Sequence, residues 1–241
     1  VKTQQKSLFI EPAARAVESD PRLPGEAAAD RLLAEARSFI YYWPEDFGGF
    51  SALLRVHQTG QPDFCSRLLA PSSRKMEIEE EFTPDPRWLR YQLEELISHR
   101  ESPKVSKMVN TTGAKLGDCD PIYGQQVYLR GDSMQSYYRI RDRRLTQIGR
   151  QYRSQDLLIN IDDHHQFGQR FASKCYSAFY RALESGELLK VETYRDDYVR
   201  QGEVFLPLRR RVSTASAAGV HTVELAFSEH TLYEAGVTQC Q

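Results

Sequence analysis

Apolar and polar residues alternate most regularly over residues 191–227. Val204, Leu206, Leu208 and Val212 share one parity, with Arg210 the exception between them. Val223, Leu225 and Phe227 repeat the period of two. That period places successive side chains on opposite sides of a pleated strand. The stretch therefore predicts three consecutive strands of a half-buried antiparallel sheet, joined by short Gly-bearing turns.

Upstream the period changes. Leu32, Leu33, Ala36, Phe39, Ile40 and Trp43 recur at helical spacing and predict a helix over 25–42, ended by Pro44 and Gly48-Gly49. Strand signals cover 51–58 and 64–70, with Gly60 and Pro62 between them. Residues 75–82 alternate, Met76 and Ile78 opposing Glu77, Glu79 and Glu81. In Thr83-Pro84-Asp85-Pro86, Asp85 is placed to cap a second helix and Pro86 to occupy its first turn. Leu89, Leu93, Leu96 and Ile97 form its apolar face, with Trp88 alongside, and it fades near Arg100.

Residues 101–121 are polar, contain Gly113, Gly117 and Pro121, and predict a mobile loop. Strands are predicted at 124–130, 136–141, 145–152 and 157–162. Residues 169–183 fit a helix, with Phe171, Cys175 and Phe179 at intervals of four, or one face of a strand. Strand neighbours favour the strand. Helices early and strands late imply an α+β fold rather than a βαβ alternation. The implied organisation is an extended arm over 1–24, a single domain over 25–234 and a tail over 235–241.

Composition narrows the functional classes. The 241 residues include 32 basic and 33 acidic ones, a formal net charge of -1, which argues against a general nucleic-acid binder. No apolar run approaches the roughly 20 residues of a membrane-spanning helix. Cys65, Cys119, Cys175 and Cys240 are widely and irregularly spaced, unlike a zinc site or a disulfide framework. The chain opens on Val1, as a processed or partial chain would, and no targeting segment is visible in what remains.

Candidate chemistry is sparse, and neither a catalytic residue nor a metal site is assigned. Asp162-Asp163-His164-His165 holds metal-ligand and proton-shuttle residue types, but neighbours on an extended chain face apart. A solvated turn tip is the preferred reading, and a hydrolase using His164 or His165 the weakest functional one. Ser133 in Gly131-Asp132-Ser133-Met134 lacks the pattern of a nucleophile elbow. Glu77, Glu79 and Glu81, with Glu80, read as the wet face of a strand.

Arginines are more suggestive. Arg139, Arg141, Arg143 and Arg144 lie on one strand and its turn, Arg209, Arg210 and Arg211 on another, and Arg150 and Arg153 between them. If these strands are neighbours, Arg139, Arg141, Arg209 and Arg211 form a partner-binding face; cross-strand acid partners are the equally weighted alternative. Phe39, Trp43, Phe47 and Trp88, with Phe50, are candidates to line an apolar pocket for a lipid or pigment. A packed core explains the same residues.

Several segments carry a resemblance. They are Tyr42-Trp43-Pro44-Glu45-Asp46-Phe47-Gly48-Gly49-Phe50, Tyr123-Gly124-Gln125-Gln126-Val127, Gly131-Asp132-Ser133-Met134 and Tyr137-Tyr138-Arg139-Ile140-Arg141-Asp142. Glu192-Thr193-Tyr194, Phe205-Leu206-Pro207 and Val223-Glu224-Leu225-Ala226-Phe227-Ser228 follow. In this order the chain resembles an uncharacterised domain family of cyanobacteria and plastids. Its fold also resembles that of periplasmic lipoprotein carriers, implying a large curved antiparallel sheet, half-barrel-like, packed against two amphipathic helices.

The resemblance implies no enzymatic activity and no cofactor. It implies a non-enzymatic accessory or assembly subunit of a photosynthetic thylakoid complex. Such a subunit would sit in the plastid stroma or cyanobacterial cytoplasm, peripheral to the membrane, with protein subunits and no nucleic acid as partners. The alternative is a soluble carrier holding a lipid or pigment between sheet and helices.

Overall fold

The computed structural model describes residues 24–72, 75–79, 85–101, 113–152 and 154–233. The helices are α1 (Pro24–Ser38) and α2 (Pro86–Ser98). The strands are β1 (Phe50–Gln58), β2 (Phe64–Ala70), β3 (Glu77–Ile78), β4 (Ala114–Asp120), β5 (Gly124–Leu129) and β6 (Tyr137–Arg141), then β7 (Arg144–Tyr152), β8 (Gln155–Phe167), β9 (Arg170–Ala182), β10 (Leu188–Gln201), β11 (Val204–Ser216) and β12 (Gly219–Leu232).

All twelve strands join one curved antiparallel sheet, in the order β3-β2-β1-β12-β11-β10-β9-β8-β7-β6-β5-β4. From β4 to β12 each strand pairs with the next in sequence, so local hairpins build most of the sheet. The pairing of β1 with β12 adds the N-terminal strands to its far end. Gly202 and Gly219, at φ +58° and +109°, make the turns on either side of β11, where a side chain would be strained.

Both helices lie on one face, here called the inner face. Leu89, Leu93, Leu96 and Ile97 of α2 pack with Phe50 and Leu54 of β1, Leu68 of β2, Leu206 of β11 and Leu225 of β12. Ala29, Leu33 and Ala36 of α1 pack with Ala114 of β4, Val127 of β5 and Tyr138 and Ile140 of β6. A third cluster covers the middle strands and contains Leu157 and Ile161 of β8, Tyr176 and Ala178 of β9, Tyr194 of β10 and Val212 of β11. Its register confirms a single face, since Tyr176 pairs with Tyr194 and Tyr194 with Val212.

Several expectations are corrected. The helix of 25–42 ends at Ser38, because the chain beyond it pairs with β9: Phe171 N–H donates to Phe39 O at 2.7 Å and Tyr41 N–H to Phe171 O at 2.8 Å. Within the loop predicted over 101–121, residues 114–120 are strand β4; residues 102–112 lie outside the described part. Only Ala114 of β4 is buried, so the strand has no apolar alternation to read. Strand β3 is two residues long, and Glu80 and Glu81 lie outside the described part.

Asp162-Asp163-His164-His165 is not a turn tip. It lies inside β8, where the register to β9 shifts on both sides of Asp163, and the turn comes at Gly168. Leu208, expected on the apolar face, is 43% exposed. The β10–β11 register steps from Asp197↔Arg209 to Tyr198↔Pro207, leaving Leu208 as the unpaired residue of a bulge. The arm over residues 1–23 and the tail over 234–241 lie outside the described residues, and Cys240 with them.

Candidate functional site

Arg210 sits where alternation calls for an apolar residue, and its side chain is 1% exposed. A guanidinium taken out of water needs a carboxylate and partners for its remaining N–H groups. Arg210 has both. Its Nε and Nη2 donate to the two Asp196 carboxylate oxygens at 2.8 and 2.7 Å. Nη2 also donates to Tyr176 Oη at 3.0 Å. Nη1 reaches Gln92 O at 3.2 Å and Glu95 Oε2 at 3.3 Å, both on α2. The residue therefore ties α2 to the sheet. Burial holds the Glu95 carboxyl above its ordinary range, opposed by Arg210.

Beside this clamp, Tyr176 and Tyr194 stack with ring centroids 4.5 Å apart. Tyr194 Oη donates to Glu192 at 2.9 Å, and Lys190 pairs with the other Glu192 oxygen at 2.8 Å. Burial first, and then neighbouring carboxylates, push the Tyr180 and Tyr194 phenols far above the usual range. These groups remain neutral donors at physiological pH.

The two helices share no core cluster. α1 packs over β4–β6 and α2 over the β1–β2–β11–β12 end, and Trp88 is the one helical residue joined to the middle cluster. The part-exposed Ile148, Ile159 and Tyr180 thus lie on a strip of the inner face between the two helix-covered parts of the sheet, the candidate groove. A second stripe of α2, Tyr91 and Glu95 followed by His99 just past the helix end, overlooks it at intervals of four. Tyr91 is 57% exposed, yet burial and the charges of Glu95 and Glu192 raise its pKa. His99 is exposed as well, while desolvation, then Arg100, Arg210 and Arg150, lower its pKa to about 3.

Arg150 stands on the inner face of β7, opposite Leu157, and among the described residues donates to Tyr152 Oη and Tyr138 Oη, each at 3.4 Å. Arg100 donates to Tyr41 O at 3.0 Å and faces the Tyr198 ring. Neither has a carboxylate within ion-pair distance among the described residues, and the Nε of each is buried without a partner.

The arginines expected to form one face are split. Arg139 and Arg141 lie on β6, Arg209 and Arg211 on β11, with β7 to β10 between them. Arg139 pairs with Asp118 at 3.0 Å, Arg209 with Asp197 at 2.7 Å and Arg211 with Glu224 at 2.6 Å. Arg141 donates to the carbonyls of Pro121 and Ile122. The last two ion pairs join neighbouring strands, as the cross-strand alternative anticipates.

Of the proposed pocket aromatics, Trp43 and Phe47 pack together at 4.8 Å, and Trp43 Nε1 donates to Phe205 O. Phe39 packs separately on Phe171, while Trp88 bridges two clusters. Trp43 is thus core and Trp88 reaches the groove. In β8, His164 bonds Leu145 O at 3.0 Å, His165 bonds Asp196 O at 2.8 Å and Asp163 takes Lys174 at 2.8 Å. The two imidazoles bond to different strands and do not converge. Ser133 is exposed in the β5–β6 turn.

Sequence reasoning flagged Arg210 and Arg150 but missed Glu95, His99 and Arg100. The spacing of Tyr91, Glu95 and His99 is a helical stripe, legible had the polar side of α2 been read as well as its apolar side.

The model of a family described as a protein of unknown function (DUF3386) matches residues 25–233. The chain belongs to this family. No curated protein matches the chain. Among solved structures, the crystal structure of LolA superfamily protein NE2245 from Nitrosomonas europaea is similar, at a TM-score of 0.32 and 14% identity, covering 86% of this chain and 94% of that one. So distant a likeness decides nothing about ligand or activity. The family match spans both helices and every strand, so the groove lies wholly within the family domain.

Proposed function

We propose that this protein is a non-enzymatic carrier for a hydrophobic ligand, a lipid or pigment, held between the inner face of the sheet and its two helices. The observation that carries this reading is the division of the helices. Each buries its own apolar face over one end of the sheet, and the apolar and tyrosine-rich middle is left to a groove. Ligand sites are typically concave and mostly apolar with a few placed polar groups. Ile148, Ile159, Trp88 and Tyr180 supply the apolar lining, and Arg150, His99 and Glu95 the polar groups.

The non-enzymatic part is supported by what the reactive side chains already do. Asp163, His164 and His165 are engaged with Lys174 and with two backbone carbonyls, holding β8 to its neighbours. Docking to a photosynthetic complex has less support, since Arg139, Arg209 and Arg211 are engaged by acid partners on their own sheet. No helix among the described residues is long and apolar enough to cross a membrane.

The test is to purify the full chain from a host that makes membranes, extract it with organic solvent and analyse the extract by mass spectrometry. A near-stoichiometric lipid or pigment is expected. An empty extract, together with no change in tryptophan fluorescence on adding a fatty-acid or alcohol probe, would end the carrier reading.

A further inference from the structure

We infer that the outer face of the sheet is a contact between two copies of this chain, packed face to face along a row of apolar side chains that crosses the strands. The inference goes beyond the carrier reading and does not rest on it. Both helices pack on the inner face, and an antiparallel face that meets only water is ordinarily polar. Here the outer face departs from that. Leu158 of β8 lies directly opposite Phe179 of β9, Phe179 opposite Val191 of β10, Val191 opposite Ala215 of β11 and Ala215 opposite Val220 of β12. On its other side Leu158 lies opposite Gly149 of β7, over which the Tyr137 ring of β6 rests. Side chains directly opposed on one face are neighbours, so the row runs unbroken from β6 to β12.

A twofold axis laid along this row suits what flanks it. The row carries no charge, so it meets its own copy without repulsion. Such an axis sets positions equally far from the row, on either side, against one another. On β8 and β9, Asn160 and Ser177 stand two residues to one side of the row, Asp156 and Arg181 two residues to the other. Asp156 of each copy then faces an amide and Arg181 a hydroxyl, and no like charges meet.

Charge supplies a second argument. Arg195 stands four residues from Val191 along β10, opposite Arg211. It is exposed and has no carboxylate within ion-pair distance among the described residues, since Glu224 takes Arg211 and Asp163 takes Lys174. Four residues from Val191 in the other direction is Glu187, which with Glu184 makes the β9–β10 turn acidic and exposed. The twofold axis brings Arg195 of each copy to this turn of the other. The face from β7 to β12, over the length from Glu187 to Arg195, measures roughly 750 Å² at the usual strand spacings, close to the about 800 Å² that each partner buries in a stable complex.

Sedimentation velocity of the purified full chain at micromolar concentration is expected to show a dimer. Val191→Lys puts a charge on the row against its own copy and is expected to raise the dissociation constant roughly a hundredfold; an unchanged circular dichroism spectrum shows that the variant still folds. Arg195→Glu, at an exposed position that folding tolerates, is expected to weaken the dimer roughly tenfold. Adding Glu184→Arg and Glu187→Arg to it is expected to restore the dimer. A chain that is monomeric at every concentration reached, a dimer that Val191→Lys and Arg195→Glu both leave intact, or a loss that the acid reversals do not rescue overturns the inference. So does a monomer that floats with phosphatidylcholine vesicles and ceases to in Val191→Lys, which would make the row a lipid contact. An empty solvent extract ends the carrier reading and leaves this inference standing.

Discussion

Arg210 and Asp196 face each other across β10 and β11 as a directly opposed pair, joined by two hydrogen bonds of 2.7 and 2.8 Å in a place water scarcely reaches. Through Gln92 and Glu95 the same guanidinium reaches α2, so one side chain couples strand pairing to helix docking. Arg210→Ala leaves Asp196 buried and uncompensated and is expected to destabilise the fold by about 3–5 kcal/mol. Replacing both, Arg210→Met with Asp196→Leu, should cost much less. Urea denaturation of the two variants checks this; equal losses would show that the clamp does not act as a pair.

His99 makes stability depend on pH. Its pKa lies near 3 in the fold against an ordinary 6.5, so between those values the unfolded chain binds more protons. The folded state keeps its full advantage above pH 6.5 and loses it as pH falls toward 3. His99→Asn is expected to flatten the fall of melting temperature between pH 7 and pH 4. A profile identical to that of the unaltered chain would show that other groups govern the acid side.

Gly149 on β7 is held by close approach rather than by backbone conformation. A Cβ there would meet the Tyr137 ring at 2.0 Å, so the ring lies on the glycine. Gly149→Ala should therefore cost about 1–3 kcal/mol through forced displacement of the ring. The pair Gly149→Ala with Tyr137→Ala should cost clearly less than the sum of the single changes, because the clash exists only when both groups are present. Strict additivity in a double-mutant cycle would contradict the contact.

The Asp85 side chain accepts a hydrogen bond from Trp88 N–H at 3.0 Å and caps α2. Asp85→Ala should lower stability by about 1 kcal/mol, the usual worth of an N-cap. If the groove is framed by α2, the same change should also weaken probe binding. Thermal melts and fluorescence titrations read the two effects separately.

This cap was legible in the sequence, and the reason is local: Asp85 and Pro86 act within one turn of helix. The strands from β5 to β12 were legible because a half-buried strand must alternate. Strand β4 was not, because only Ala114 of its seven residues is buried. The end of α1 was not, because the apolar spacing runs on through Phe39 and Ile40 while backbone pairing with Phe171 takes the chain away. Leu208 carries the right parity and the wrong exposure, since a bulge is a property of two strands together.

Alone, the sequence determined the strand-rich α+β class, the start of α2, the turns at Gly202 and Gly219 and the oddity of Arg210 within an apolar row. These depend on periods of two and of about 3.6 residues and on residues acting within a turn. Only the tertiary structure decided what Arg210 holds and that Arg139 and Arg211 stand on separated strands. The α2 partners of Arg210, Gln92 and Glu95, lie 118 and 115 residues from it in the chain. Their meeting is set by strand order and by where each helix buries its apolar face, neither of which a local period encodes.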